Sequence, residues 1–210
     1  MKRLLVYLFL MGSVVSIGCS NSADGSDSGS TAITGKQLLP LKVGNVWTYH
    51  NQEWNDDGSV NEDDVKQITI LRDTTFDGHP AFYSIAFDKP AVFYYVGNDL
   101  YNQSYDAFQI PQKLGEEVIV DDTSSASSTR NSILLRSSNI PVTVPAGNFN
   151  CVQIDALRFF KNASGQLDSN SIDSKYYAQN IGMIKEELVV FPQGHRHTFR
   201  ILQLTNYELK

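Results

Sequence analysis

The chain is short of cysteine and of basic residues. Among its 210 residues only Cys19 and Cys151 are cysteines, and 17 Lys and Arg stand against 23 Asp and Glu, which gives a formal net charge of −6. Removal of an N-terminal segment that contains Lys2 and Arg3 would bring this charge to −6 − 2 = −8. Nucleic acids and anionic membrane surfaces both require clustered Lys and Arg, so we expect neither as the main partner.

Sequence motifs of catalysis are also missing. The chain has no Gly-x-Ser-x-Gly elbow, no glycine-rich phosphate loop and no His-Glu-x-x-His pair, and a single cysteine follows position 19. Carboxylates such as Asp155 and Glu186 could pair in space, but no pattern distinguishes them from surface charges. We therefore expect neither an enzyme nor a cofactor, and an uncharacterised hydrolase is kept as a third hypothesis.

Long amphipathic helices are absent, and the pattern allows one helical turn within 36–41. The remainder alternates short β-branched and aromatic runs with turn signals such as Asp57-Gly58 and Asp77-Gly78. Because short connections join antiparallel neighbours, the sequence predicts an all-β, mostly antiparallel fold. We expect a curved sheet or half-barrel meander with little helix, in one domain over 36–210. The strand-like runs are 46–50, 65–71, 81–87, 91–96, 100–104, 117–120, 133–140, 149–160, 172–178, 183–191 and 197–207.

A change of parity in 149–160 predicts strong curvature. The apolar positions begin at Phe149 and Cys151 and then move to Val152 and Ile154. A β-bulge produces such a change and bends the sheet, whereas the alternative is a strand covered on both faces. Cys151 lies within this apolar pattern, and we expect it to be a free, buried thiol.

The first 18 residues have the pattern of a secretory signal. Lys2 and Arg3 precede an apolar run over 4–17, which is too short to span a bilayer comfortably. The run ends in Ser16-Ile17-Gly18-Cys19 and resembles the lipobox of bacterial lipoproteins, in which the peptide is cut before the cysteine and its sulfur receives a diacylglycerol. We expect this lipid attachment at Cys19, with an ordinary cleaved signal as the alternative.

The segment 19–35 is expected to be a disordered tether. It consists almost wholly of small and polar residues, which bury too little apolar surface to offset the entropy lost on ordering. About sixteen such residues span roughly 20 to 24 Å end to end. We therefore expect a lipid-anchored protein of the bacterial cell envelope, at the outer membrane, with the membrane as its partner through the anchor.

Two local patterns suggest cation sites. Oxygen ligands at Glu53, Asn55, Asp57 and Asp64 around Gly58 are spaced nearly as in a calcium loop, but strand-like runs flank them instead of helices. A plain hairpin is therefore favoured. His195 and His197 would share one strand face and could chelate zinc, yet no third ligand is suggested nearby. We expect no metal at either place.

Three short motifs carry a family resemblance. Residues 144–152 (VPAGNFNCV), 176–185 (YYAQNIGMIK) and 39–49 (LPLKVGNVWTY) resemble a pattern shared by many uncharacterised exported bacterial proteins. The resemblance implies a curved antiparallel sheet, similar to the half-barrel of LolA/LolB-like lipoprotein carriers. It implies no catalytic residue.

Aromatic residues are frequent in the first half of the chain, and some of them would line the concave side of a bent sheet. Our first hypothesis is a tethered binding module for an apolar ligand or a lipoprotein segment, with Trp47, Tyr49, Tyr83 and Tyr94 in the binding site. The second is a structural or interaction lipoprotein that contacts another envelope protein and has no small ligand. A groove lined by these rings favours the first hypothesis, and a filled core favours the second.

The lipobox makes Cys19 the residue that decides anchoring. Export of the Cys19→Ala variant behind an ordinary cleavable signal should give a protein that no longer fractionates with membranes, because the acyl chains are lost. Immunoblots of soluble and membrane fractions measure this. Retention of the variant in the membrane fraction would show that another part of the chain holds it there.

Overall fold

A computed structural model describes the backbone of residues 33–103, 106–108, 110–111, 113–121, 129–161, 167–191 and 195–210. The predicted signal peptide, Cys19 and most of the predicted tether lie outside the described residues. The helix is α1 (Gly35–Leu38), and the strands are β1 (Val46–Trp54), β2 (Val60–Phe76), β3 (His79–Ala86), β4 (Lys89–Val96), β5 (Asp99–Asn102), β6 (Asp106–Phe108), β7 (Glu117–Asp121), β8 (Thr129–Val144), β9 (Gly147–Lys161), β10 (Leu167–Ala178), β11 (Gly182–Val190) and β12 (His197–Glu208).

The described strands form one antiparallel sheet in the order β6-β5-β4-β3-β2-β1-β12-β11-β10-β9-β8-β7. Strands that are consecutive in the chain are neighbours in the sheet, except β6 and β7, which form its two edges. The first and last strands, β1 and β12, pair in the middle of the sheet. This confirms the predicted antiparallel, curved-sheet architecture. The short strand β6 was not predicted, and β2 begins five residues before the predicted run and ends five residues after it.

The sheet has one strongly apolar face. In β1 the fully buried Trp47 and Tyr49 alternate with half-buried residues, as expected for a strand with one face in the core. We call the face that carries Trp47 and Tyr49 the inner face, and the opposite one the outer face. Other buried residues of the core include Ile68, Ile70, Phe93, Leu100, Ile154, Tyr177, Ile184, Leu202 and Leu204.

The sheet is bent at β8, beside the predicted parity change. The pairing of β8 with β9 shifts twice between Leu135 and Ile140, which leaves extra residues in β8. Opposite this bulge, β9 pairs with β10 without interruption from Cys151 to Arg158. The Ala146 N–H, in the β8–β9 turn, donates to the Leu204 carbonyl of β12 at 3.0 Å. The predicted curvature is therefore present, and the bulge that causes it lies in the neighbouring strand.

The chain enters the described domain across the inner face. Ile33, Leu38, Leu39 and Leu41 are all buried in the same apolar cluster as Trp47. Each such side chain contributes roughly 1.5 to 3 kcal/mol when fully buried. The predicted tether ended at residue 35, whereas the structure packs Ile33 and Gly35 against the sheet. The boundary was placed too late because the isolated Ile33 gives no periodic pattern.

Hydrogen bonds fix this entering segment in place. The Tyr95 hydroxyl donates to the Leu39 carbonyl at 2.5 Å and accepts from the Leu41 N–H at 2.8 Å. Burial raises the pKa of Tyr95 to about 12, partly offset by the Leu41 hydrogen bond. The helix begins with a capping box between Thr34 and Gln37, which satisfies the free N–H groups of its first turn. This confirms the predicted single helical turn.

Trp47 connects β1 to the turn between β10 and β11. Its indole N–H donates to the Ile181 carbonyl at 2.5 Å. The next residue, Gly182, has φ of +129°, and a Cβ on it would lie 2.5 Å from the Trp47 indole nitrogen. The same turn also contacts the helix, because the Asn180 N–H donates to the Gln37 carbonyl at 2.6 Å. Only glycine therefore allows the turn, the indole and the helix to meet.

The close approach at Gly182 can be tested against another glycine. Gly182→Ala should lower the free energy of unfolding by about 3 kcal/mol or more, because a strained φ and a steric overlap with a buried ring combine. Gly58→Ala is the matched control, since Gly58 also has a positive φ, of +81°, but has nothing within 4 Å of the added Cβ. This control should lose about 1 to 2 kcal/mol. Urea unfolding of both variants measures the difference, and equal losses would contradict the steric account.

Candidate functional site

The four aromatic residues predicted to bind a ligand do not share one surface. Trp47 and Tyr49 are 0% exposed on the inner face, and the Tyr49 hydroxyl donates to the Met183 carbonyl at 3.1 Å. Tyr83 and Tyr94 are half-buried on the outer face, with the Tyr83 ring beneath the Arg72 guanidinium at 4.9 Å. The two inner residues are therefore core, and a ligand could reach only the two outer ones in this conformation.

Tyr94 belongs to a group of stacked rings that we call the outer aromatic cluster, formed by Phe76, His79, Tyr94 and Tyr101. The Tyr94 ring centroid lies 5.2 Å from that of Tyr101 and 5.9 Å from that of His79, with interplanar angles of 23° and 17°. Phe76 packs against Tyr94 at 5.3 Å. These rings come from β2, β3, β4 and β5, and the Tyr94–Tyr101 and Phe76–His79 contacts are direct cross-strand pairs. They form an amphipathic surface with polar ring tips.

The inner face changes from apolar to charged along its strands. Beyond Tyr49, the inner positions of β1 are Asn51 and Glu53, and the strands beside it change in the same way. We call this part the inner charged row. It consists of Asn51, Glu53, Glu62, Asp64, Lys66, Asp173, Lys175, Glu186 and Arg200. Direct pairing aligns Asp64, Asn51, Leu202, Glu186 and Lys175 across five adjacent strands.

On β2, Lys66 is the central cation of the row. Its ammonium lies 2.6 Å from Asp64 and 3.0 Å from Glu62. Asn51 completes this half, because its Nδ2 donates to Asp64 at 3.0 Å and to Glu62 at 3.2 Å. Hydrogen bonds from Lys66 and Asn51 lower the pKa of Asp64, and burial opposes them only in part. The Asp64 carboxylate is thus held ionised.

On the other side of β1, Arg200 and Lys175 are the cations that pair with the carboxylates of the row. Arg200 contacts the buried Glu186 directly and lies 3.9 Å from Glu53, while Lys175 lies 2.9 Å from Asp173. Burial raises the pKa of Glu186, as does the Asp173 charge, against the opposing effects of Lys175 and Arg200. The pKa of Lys175 is raised overall. Burial lowers it, but the charges of Asp173 and Glu186 raise it by more than burial lowers it. This half is more deeply buried than the β2 half.

Three buried polar atoms of the row have no hydrogen-bond partner: Asn51 Oδ1, Asp173 Oδ1 and Arg200 Nε. Asn51 is 1% exposed, so its carbonyl oxygen is out of reach of bulk water. Its amide nitrogen faces the β2 carboxylates, and the oxygen of the same group therefore points away from β2, towards the Arg200 side. Buried polar atoms are nearly always satisfied by protein groups or by ordered water.

The calcium-like segment forms a hairpin turn. Asp57 accepts hydrogen bonds from the Ser59 N–H at 2.9 Å and from its hydroxyl at 2.6 Å, and these bonds lower the pKa of Asp57. Glu53 and Asp64 lie in the inner charged row and are engaged there. The predicted hairpin is therefore the observed structure. Among the described residues, no group of three or more His, Cys, Asp or Glu side chains is placed to hold a metal ion.

Other predicted residues lie apart from the row. His195 is exposed and precedes β12, whereas His197 opens that strand opposite Val190. Asp155 and Glu186 do not pair, because Asp155 contacts Arg136 at 2.8 Å on the outer face. Cys151 is 1% exposed, as predicted, and burial raises the pKa of its thiol to about 11. A protonated, enclosed thiol is a poor nucleophile.

Sequence analysis missed the inner charged row. The available signal was parity: Asn51 and Glu53 continue the series begun by Trp47 and Tyr49, and Lys175 precedes Tyr177 by two residues. Positions two apart in a strand share a face, so this parity could have placed these polar residues next to the core. Their meeting across β2, β1, β12, β11 and β10 depends on strand order, which the sequence does not show.

Comparisons with known proteins show a shared fold. A Bacteroides fragilis protein described as exported and as having a YmcC-like fold matches with a TM-score of 0.52 and 11% identity, over 82% of this chain and 99% of that chain. A Parabacteroides distasonis protein described as a lipoprotein matches with a TM-score of 0.47 and 12% identity, over 82% of this chain and 98% of that chain. No family model and no curated protein sequence matches the chain.

The described part of the chain was also searched for membrane-spanning helices. It has no helix with the length and apolar character that a membrane crossing requires.

The two halves of the inner charged row should respond oppositely to pH. The folded-state pKa of Glu186 is raised, so its contribution to stability is fully present below its unfolded value of 4.5 and is lost as the pH rises through the folded pKa. The folded-state pKa of Asp64 is lowered, so its contribution is present above 3.8 and is lost as the pH falls through the folded pKa. Between pH 4 and 8, Glu186→Gln should become less destabilising relative to wild type as the pH rises, whereas Asp64→Asn should become less destabilising only as the pH falls below about 4.

Urea unfolding at a series of pH values measures both trends. Asp77→Asn, in the exposed turn after β2, is the control for removal of a carboxylate outside the row. A Glu186→Gln curve that runs parallel to wild type at every pH would contradict the assignment of a raised pKa to Glu186.

Proposed function

We propose that the protein is an exported lipoprotein of the bacterial cell envelope, attached to the outer membrane through acyl chains on Cys19. Its β domain acts as a non-enzymatic interaction module and does not carry an apolar ligand. The signal pattern, the lipobox and the fold shared with a protein described as exported support the location. This function corresponds to the second of the hypotheses based on the sequence.

The filled inner face carries this proposal. A carrier of apolar molecules needs an apolar concavity that is open to a ligand. Here Leu38, Leu39 and Leu41 of the entering segment pack into the cluster that contains Trp47 and Tyr49. A surface depression of about 410 Å³ lies along the β8–β9 hairpin, but Thr143, Asn148 and Asn150 give it a largely polar lining. The LolA/LolB-like carrier arrangement is therefore not the basis of the proposal.

The outer aromatic cluster is the surface that we assign to a partner, another envelope protein. Tyr, Phe and Arg are enriched at protein interfaces, and Tyr and Arg provide apolar area together with a polar tip. Tyr94 and Tyr101 combine these properties beside the Tyr83–Arg72 pair, and all four residues lie on the outer face. The charged row is less suited to a large partner, since its side chains already pair with one another.

Fatty-acid binding distinguishes the interaction module from the carrier. The purified mature chain, titrated with a fluorescent fatty acid, should show no saturable uptake, because the inner face is occupied by the chain itself. Saturable uptake at one molecule per chain, displaced by unlabelled fatty acid, would restore the carrier hypothesis. Tyr94→Ser serves as the control for adsorption of the probe to the outer aromatic cluster.

Photo-crosslinking in intact cells tests the proposed surface. A photoreactive phenylalanine derivative at position 94 should give a discrete crosslinked product with one envelope protein, and the product should weaken when Tyr101→Ser is added. Position 65 is the control, because Val65 is 63% exposed on β2 and is remote in sequence from the rings. Identical products from both positions would contradict a specific surface at Tyr94.

A further inference from the structure

The strand β7 forms one edge of the sheet, and part of this edge lacks the features that protect exposed strands. Among the described strands, none pairs with the side of β7 that faces away from β8. Sheets commonly protect such edges with proline, lysine or bulges. The part of β8 that extends beyond β7 follows this rule, since it has two register shifts and Pro141. In β7, residues 117–119 pair with β8 without a shift and contain neither proline nor lysine.

Alternate residues of β7 direct their backbone N–H and C=O groups to this open side. Leu135 of β8 exchanges hydrogen bonds of 2.9 and 3.2 Å with the backbone just before β7, so its polar groups face β7. Backbone groups alternate sides along a strand, so those of Ile133 also face β7, where Val118 is the direct partner. The N–H and C=O groups of Glu117 and Ile119 are therefore directed away from β8.

Apolar side chains are exposed along the same edge. Leu114 is 66% exposed and Ile119 is 47% exposed. Ile119 lies opposite Ser132, whereas Val118 lies opposite the buried Ile133, so the two β7 residues are on opposite faces of the sheet. An extended segment added at this edge would satisfy the outward backbone groups and cover Ile119 at the same time.

The charge of this edge favours a basic partner over a second copy of the chain. Residues 113–121 contain three carboxylates and one ammonium group, on Glu116, Glu117, Asp121 and Lys113. Their balance is −3 + 1 = −2, and it becomes −1 when Arg130, which lies 3.0 Å from Glu117, is included. Two copies paired at this edge would bring like charges together, whereas Lys or Arg on a different strand would meet the opposite charge.

We propose that the open side of β7 binds an extended segment of another protein by strand addition, and that this segment carries Lys or Arg beside β-branched residues. The backbone of the segment exchanges hydrogen bonds with Glu117 and Ile119. Its apolar side chains cover Ile119, and its basic groups lie near the carboxylates of the edge. The outer aromatic cluster belongs to β2, β3, β4 and β5, so binding at β7 is independent of the function proposed for that cluster.

A short basic peptide is the probe that tests this site. Fluorescein-labelled Lys-Thr-Val-Thr-Val-Thr-Lys should bind the purified mature chain at pH 7 in a saturable manner, as measured by fluorescence anisotropy. The same peptide with glutamate in place of both lysines should bind more weakly, because its charge has the same sign as that of the edge. A lysine peptide whose central amides are N-methylated cannot donate to the edge and should bind about tenfold more weakly, which corresponds to one or two hydrogen bonds.

Variants of β7 locate the binding. Ile119→Pro removes an outward N–H but leaves the hydrogen bonds between β7 and β8 in place, and it should weaken binding of the lysine peptide about tenfold. Ile119→Thr is the matched control, because it keeps the N–H and a β-branched side chain, and it should bind the peptide within about threefold of wild type. Glu117→Gln should reduce the preference for the lysine peptide over the glutamate peptide. The N-methylated peptide keeps the test available if Ile119→Pro does not fold.

Three results would overturn the proposal. The first is the absence of saturable binding of the lysine peptide up to high micromolar concentration. The second is equal binding of the N-methylated peptide, which would indicate attraction of a basic peptide to an acidic surface without strand addition. The third is a dimer in analytical ultracentrifugation that Ile119→Pro converts to a monomer, which would make a second copy of the chain the occupant of the edge.

Discussion

The hydrogen bond from the Trp47 indole to the Ile181 carbonyl is the interaction on which the arrangement of the domain depends. It joins β1 to the β10–β11 turn, and the missing side chain of Gly182 allows the ring to approach the turn so closely. The same turn binds the helix through Asn180 and Gln37. The turn thus holds β1 and the nearby helix, although it lies 134 residues after Trp47 in the sequence, and the entering segment is fixed on the inner face as a result.

That filling explains why the inner face has two environments. The entering segment covers the end of the sheet around Trp47, but it stops there, and the inner positions of β1 from Asn51 onward are covered by charged neighbours instead. Buried ion pairs seldom stabilise a fold more than apolar residues of similar size, because desolvation offsets most of the attraction. A row with three unpartnered polar atoms is less favourable still. Stability of the fold therefore does not account for the row.

Alternation and turn chemistry were sufficient to predict the antiparallel sheet, and they placed Trp47 and Tyr49 on one face. They could not show whether those rings would meet a ligand or the protein itself. The answer depends on residues 33–41, whose apolar side chains are too few and too irregular to predict a docked segment. The sequence could not separate Tyr83 and Tyr94 from Trp47 and Tyr49. Strand parity shows which residues of one strand share a face, but it does not relate residues of different strands whose register is unknown. The charged row was missed for the same reason, since its members come from five strands.

The positions of the two candidate surfaces follow from the direction of the strands. The chain enters the described domain at Ile33 and packs beside Trp47, near the start of β1. Glu53 lies six residues further along that strand, about 20 Å away at the usual rise of 3.3 to 3.4 Å per residue. The inner charged row therefore opens at the end of the sheet remote from the entering segment, while the outer aromatic cluster lies on the opposite face. The proposed lipid anchor at Cys19 and the proposed partner surface consist of different residues, so each can be removed by substitutions that leave the other in place.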